Sequence, residues 1–165
     1  MFQRLVNFTS GEIFIDSNIF IYSNSHSHPL KEKTKNFLFK LMKMEINGII
    51  NGIVLDEIYH KILIMEISEK YNIAPLDVPS YIKNKSEVLQ EVNTPRKTIE
   101  DIMAFNNLKI ANIAPETLQI ALSFSSKLLF SDAIHAATCK EYKITNIATN
   151  DKDFENLDLF KIWKP

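Results

Sequence analysis

GEIFIDSNIFIY, Gly11 to Tyr22, sets an aspartate and an asparagine inside a run of apolar and β-branched residues. Ile13, Phe14 and Ile15 have the composition of a buried strand, and Ile19, Phe20 and Ile21 resume the apolar run beyond Asp16 and Asn18. An unpaired carboxylate inside a core is disfavoured by several kcal/mol, so Asp16 belongs at an edge, against a metal or against a partner.

Working outward from this stretch, SNSHSH reads as a polar loop, and Pro29 suits the first turn of a helix running to about Glu45. Leu30, Phe37, Leu38, Leu41 and Met44 or Glu45 fall on one face of that helix. NGII is a short strand, and NGIVLDEIYHKILIMEISEKY a long helix whose start Asn51 is expected to cap. Between Asn72 and Asn107, prolines announce two further helical segments, with Thr94 the expected cap before Pro95. LKIANI then reads as a strand, PETLQIALSFSSK and SDAIHAATCKEY as helices, NIAT as a strand, NDKDFENL as a turn into a short helix, and FKIW as a last strand.

Alternation of strand and helix implies a single α/β domain over residues 1–165, a mostly parallel sheet with helices on both faces. In such sheets the carboxyl ends of the strands carry the site, where the strand order reverses. Asp16 follows EIFI and Asp151 follows NIAT, so both are expected at that one edge.

The totals narrow the class. With 165 residues, 45% hydrophobic and 24% charged, the chain has the composition of a folded globular domain. Its net charge of −1, from 19 Lys and Arg against 20 Asp and Glu, argues against a polyanion binder that works by bulk charge. Cys139 is the sole cysteine, which excludes an intrachain disulfide and a cysteine-rich zinc site; its helical setting marks it as a small buried thiol. The amino-terminal MFQRLVNFTSGE lacks the apolar stretch of a signal peptide, and no segment has the length of a membrane span. A cytoplasmic protein with no membrane partner is the expectation.

Two more acids stand in unusual company. Glu57 borders the helix face formed by Val54, Leu55, Ile58 and Ile62, and Asp132 stands near the start of LLFSDAIHAATC, where it or Ser131 is expected to cap the helix. Helix beginnings after strands also face the carboxyl edge, so Asp16, Glu57, Asp132 and Asp151 are expected to converge, with Asp153 close behind. Crowded carboxylates repel and need a counter-charge. Oxygen donors without cysteine suit a hard cation, Mg²⁺ or Mn²⁺, and that chemistry is phosphodiester cleavage. Singly, Asp132 reads as a cap before it reads as a ligand, Asp151 as a turn residue and Glu57 as a solvated helix residue; together they point to a site.

FIDSN, NGIVLDEI, LLFSDAIHAAT and IATNDKDFENL…FKIW resemble, in order and spacing, the four motifs of PIN-domain nucleases, and among them the VapC-like toxins of prokaryotic toxin–antitoxin pairs. The resemblance runs from about Glu12 to the carboxyl terminus. It implies a PIN fold and a metal-dependent ribonuclease in which Asp16, Glu57, Asp132 and Asp151 bind one or two divalent cations. It further implies that Asn18 supports the first aspartate and that Thr149 supplies a hydroxyl beside the last, with Asp153 at a position only sometimes acidic. RNA as substrate, a cognate antitoxin protein and a homodimer are its implied partners.

His26 and His28 read as solvated loop residues, and His60 as an outward helix position. His135, one turn beyond Asp132, is placed to contact the site or its substrate, or simply to pack. Lys31, Lys33, Lys35, Lys40 and Lys43 read as a solvated basic flank rather than a track for RNA. Competing functions are a PIN-fold RNA-processing nuclease that is not a toxin, a non-catalytic module on the same fold, and an aspartyl-phosphate enzyme. The last would need an acid where Asn18 stands.

Overall fold

A computed structural model describes residues 2–165. Among these, six strands form one sheet in the order β1-β6-β5-β2-β3-β4, with every neighbouring pair parallel. The strands are β1 (Gln3–Arg4), β2 (Glu12–Ile15), β3 (Asn47–Asn51), β4 (Leu108–Ala111), β5 (Asn146–Ala148) and β6 (Lys161–Lys164). The helices are α1 (Ser17–Asn24), α2 (Lys31–Met42), α3 (Gly52–Tyr71), α4 (Val78–Asn84), α5 (Thr94–Met103), α6 (Pro115–Phe124) and α7 (Phe130–Glu141). None of them is long and apolar enough to cross a membrane.

Ile13, Phe14 and Ile15 are all fully buried. Successive strand residues point to opposite faces, so β2 is covered on both sides and its unbroken apolar run follows directly. On the Phe14 side the ring packs near His135 of α7, with centroids 5.3 Å apart. On the other side Ile15 approaches Leu41 of α2 across Gly48. A Cβ at Gly48 would meet Leu108 Cδ1 at 2.7 Å, Ile15 Cδ1 at 2.9 Å and Leu41 Cδ1 at 3.0 Å, so glycine there allows β3 to pass beneath α2.

Several local expectations are corrected. Ile19, Phe20 and Ile21, which resume the apolar run after the strand, belong to a helix that composition alone does not separate from it: with Asp16 at the cap position in extended geometry, Ser17 starts α1, which runs to Asn24. Ile19 and Phe20 are buried in either reading, which is why the apolar run alone left the period ambiguous. Pro29 precedes α2 rather than opening it, and the helix stops at Met42 before Met44 turns left-handed at φ 58°. The cap position of α5 is Asn93, with no side-chain bond, while the Thr94 N–H donates to Glu66 Oε2 at 3.1 Å. α7 begins at Phe130, so neither Ser131 nor Asp132 caps it and the Asp132 carboxylate stays free. The edge strand β1 had no sequence signal, being two residues long.

Asn51 does cap α3, its Oδ1 accepting from the Val54 N–H at 3.3 Å. Its Nδ2 also donates to Thr138 Oγ1 at 2.9 Å, and that hydroxyl donates to Ile134 O at 2.8 Å. A buried side chain therefore ties the start of α3 to α7. The residues from 72 to 107 wrap the far end of α3, where Leu63, Ile67, Val78, Val88 and Val92 make a small apolar cluster of their own. Within the lysine flank, Lys40 is a structural tie: its Nζ donates to Val6 O at 2.7 Å and Phe8 O at 2.9 Å.

Candidate active site

From β2 the chain proceeds to β3 on one side of the sheet, while β5 and β6 fill the other, so the strand order reverses beside β2. Carboxyl ends of parallel strands at such a point open into a crevice. The Asp16 N–H donates to Ala148 O at 3.0 Å, so the exits of β2 and β5 are held side by side. An open cleft of about 450 Å³ lies there, lined by Asp16, Asn18, Glu57, Asp132 and Asp151 together with Tyr22, His60, Lys61 and Asn150.

Asp16 is only 5% exposed. Its Oδ2 accepts from Thr149 Oγ1 and from Asn18 Nδ2, whereas its Oδ1 has only the Ser17 hydroxyl at 3.4 Å. One carboxylate oxygen is therefore fixed by the protein and the other presented to the cleft. Asn18 Oδ1 accepts from the Asn150 N–H at 3.2 Å, and Thr149 Oγ1 accepts from the Asp151 N–H at 2.9 Å, which stitches the loop after β5 onto the start of α1. Asp151 Oδ1 in turn accepts from the Asp153 N–H at 2.8 Å, an Asx turn that shapes the loop.

Electrostatics follow from this crowding. Burial pushes the Asp16 carboxyl up, and Glu57 adds to the effect, against the opposing influence of His135 and the Thr149 hydroxyl. Asp132 is pushed up to about 6 by burial and by Asp16, Asp151 and Glu57, again with His135 opposing. For Glu57, burial raises the pKa, but contacts with His135 and Ser17 outweigh it and leave the group below its ordinary value. His135 Nε2 lies 3.6 Å from Glu57 Oε2. The carboxylates form two groups whose donor atoms lie within 4.8 Å of one another: Asp16 and Glu57 with His135, and Asp132 and Asp151 with Asp153.

The donor set fits a hard divalent cation, because oxygen atoms dominate and two of the acids are held against their tendency to ionise. Cys139 is excluded from this chemistry: it is wholly buried, and burial pushes its thiol far above the usual range.

Sequence reasoning passed over part of the lining. His60 and Lys61 are exposed and face the cleft, and their spacing of three and four residues from Glu57 was the available signal. Tyr22 stands at the rim with its ring stacked on His28, centroids 3.9 Å apart and planes within 8°, so His28 is held rather than freely solvated. No spacing rule links those two across the loop. His135 is fully buried, a harder placement than its polar type announces.

The PIN domain family matches residues 13–159 of the sequence. The chain belongs to the PIN domain family. This PIN domain is 33% identical over 159 residues to Ribonuclease VapC6 of Methanocaldococcus jannaschii, covering 93% of this chain and 97% of that protein. Among solved structures it resembles Mycobacterium tuberculosis VapC20, described as a sarcin-ricin loop cleaving toxin, with a TM-score of 0.62, 12% identity, and coverage of 92% and 98% of the two chains. A chain of a toxin–antitoxin complex from Klebsiella pneumoniae matches with a TM-score of 0.55 and 18% identity, over 90% of this PIN domain and 94% of that chain. At these identities the structures speak to the fold alone.

Proposed function

We propose that this PIN domain is a divalent-metal-dependent ribonuclease and the toxin of a toxin–antitoxin pair. The observation that carries the reading is the convergence of Asp16, Glu57, Asp132 and Asp151, from four separate segments, on one cleft at the carboxyl edge of the sheet. Its relative of 33% identity is a ribonuclease, which supports the same chemistry.

A divalent cation in this cleft, Mg²⁺ or Mn²⁺, supplies acidity to a water and positive charge to the leaving oxygen of a phosphodiester. Asp16 and Glu57 would hold it on one side, and Asp132 and Asp151 on the other or around a second ion. Asn18 and Thr149 fix Asp16 Oδ2, so the free oxygen is aimed before substrate arrives. Asp153, exposed, shapes the loop through its backbone and is the most dispensable of the acids. Lys61 and His60 at the mouth are placed to meet an RNA phosphate, and the Tyr22 ring at the rim offers a surface to a base. The complexes formed by its structural neighbours support an antitoxin protein as partner, and a homodimer as the working unit is part of the proposal.

The test is cleavage of single-stranded RNA by the purified protein. Cleavage should require Mg²⁺ or Mn²⁺, stop with EDTA, and fall at least about 100-fold in Asp16→Asn, given that even outer-shell changes at metal sites cost about 10–100-fold. Undiminished cleavage by Asp16→Asn defeats the assignment. Growth arrest on expression, relieved by the same substitution and by a co-expressed neighbouring small gene, separates a toxin from an RNA-processing enzyme.

A further inference from the structure

His135 stands on α7 one turn beyond Asp132, with none of its surface exposed. Neither ring nitrogen has a hydrogen-bond partner among the described residues. The polar groups nearby are committed elsewhere: Thr138 Oγ1 donates to Ile134 O and accepts from Asn51, and Asp16 Oδ2 is taken by Thr149 and Asn18. Ala133, Ala136 and Ala137 of the same helix offer nothing polar. What the imidazole does approach is the acidic pair behind the cleft, with a ring nitrogen and carboxylate oxygens of Asp16 and Glu57 all within 4.8 Å of one another.

Nε2 and Glu57 Oε2 are 3.6 Å apart, an ion-pair distance for a protonated ring but too far for a hydrogen bond. Two donors on one cation, each bonded at about 2.1 Å, stand roughly 3.0 to 3.5 Å apart. The observed separation is close to that of neighbouring ligands. We propose that His135 is a nitrogen ligand to the cation held by Asp16 and Glu57, making a mixed imidazole–carboxylate site that prefers Mn²⁺ to Mg²⁺. The preference follows from ligand type, because Mg²⁺ takes oxygen donors and keeps its waters, whereas imidazole suits transition-metal ions. Asp132, Asp151 and Asp153, a group of oxygen donors only, carry no such bias.

The assignment rests on the reading of this cleft as a metal centre, and the experiment separates the two. Protein labelled with ¹⁵N-histidine is loaded with Mn²⁺ alone and studied by pulsed electron paramagnetic resonance, alongside His135→Gln, His60→Ala and Asp16→Asn. A directly bound nitrogen that changes with the isotope, survives in His60→Ala and is lost in His135→Gln supports the ligand. Mn²⁺ bound with no such coupling, or coupling that persists in His135→Gln, overturns it while leaving the metal centre standing. No Mn²⁺ binding, or binding indifferent to Asp16→Asn, overturns both. By calorimetry, His135→Gln should lose about tenfold or more in Mn²⁺ affinity and much less in Mg²⁺ affinity; equal losses for the two ions count against the ligand. Should the variant fail to fold, the isotope signature in the wild-type and His60→Ala proteins decides the matter.

Discussion

At the scale of single residues, Asp16 was the most legible feature and its supports were not. A carboxylate between two apolar runs announces itself in the sequence, because burial without a partner is so unfavourable. The network that fixes it joins residues more than a hundred positions apart, Asn18 to Thr149 and Asn150, and no local pattern reports such contacts. The resemblance supplied those roles where spacing could not. Thr149→Val removes one of two donors to Asp16 Oδ2 while keeping the side chain's shape. We expect the fold to survive and Mn²⁺ affinity to fall by about 10–100-fold, the range for outer-shell changes at metal sites. Isothermal titration of the folded variant checks this, and wild-type affinity would show that Thr149 does not position Asp16. Lys61→Ala should leave metal binding unchanged and raise KM for RNA several-fold, with a weaker dependence on salt, because it removes one phosphate contact at most.

At the scale of elements, strands and long helices were read from composition and period, and errors gathered at helix starts. The α1 error has a physical cause: in a sheet covered on both faces, a buried strand and the first turns of a buried helix are both continuous apolar runs. Extended backbone at Asp16 followed by Ser17 was the hidden boundary. Asp132 shows the reverse case, since a residue type that favours caps lies inside the first turn and keeps its carboxylate for the cleft. Asn51 was read as a cap, but half of its work is across the fold, holding α3 to α7 and so setting Glu57 against His135 and Asp132. Asn51→Ala removes the cap and strips Thr138 of a buried donor; a loss of about 2–3 kcal/mol is expected in urea unfolding. Gly48→Ala crowds three side-chain termini in the core, and overpacking of this kind costs about 1–3 kcal/mol. If Gly48→Ala were neutral, the contact between β3 and α2 would be looser than the structure has it.

At the scale of the whole molecule, a near-neutral chain concentrates like charges at one edge, and pH should expose that concentration. Asp16 and Asp132 both have carboxyl groups raised above their ordinary values, Asp132 to about 6. Between the unfolded value of 3.8 and about 6, the folded protein holds a proton on Asp132 that the unfolded chain has released. Without metal, this group's contribution to stability is therefore largest at low pH and declines as pH rises through that window. Glu57, held below its ordinary 4.5, acts in the opposite sense, its contribution being lost as pH falls beneath that value, so the two effects oppose each other only below 4.5. On the proposed function, bound metal should reverse the trend. A cation needs the ionised carboxylates, displaces their protons, and stabilises only the folded state, so the rise in Tm on adding Mn²⁺ should be small at pH 5 and large at pH 7.5. Thermal unfolding with Mn²⁺ or with EDTA, across that range, measures both curves. In Asp132→Asn the metal-free curve should decline less between pH 4 and 6, since the proton that Asp132 contributes is gone and only that of Asp16 remains. A metal-free wild-type curve that runs parallel to that of Asp132→Asn from pH 4 to 6 would mean that the Asp132 carboxyl is not crowded in the folded state, and the cleft would lose its electrical reason to bind a cation.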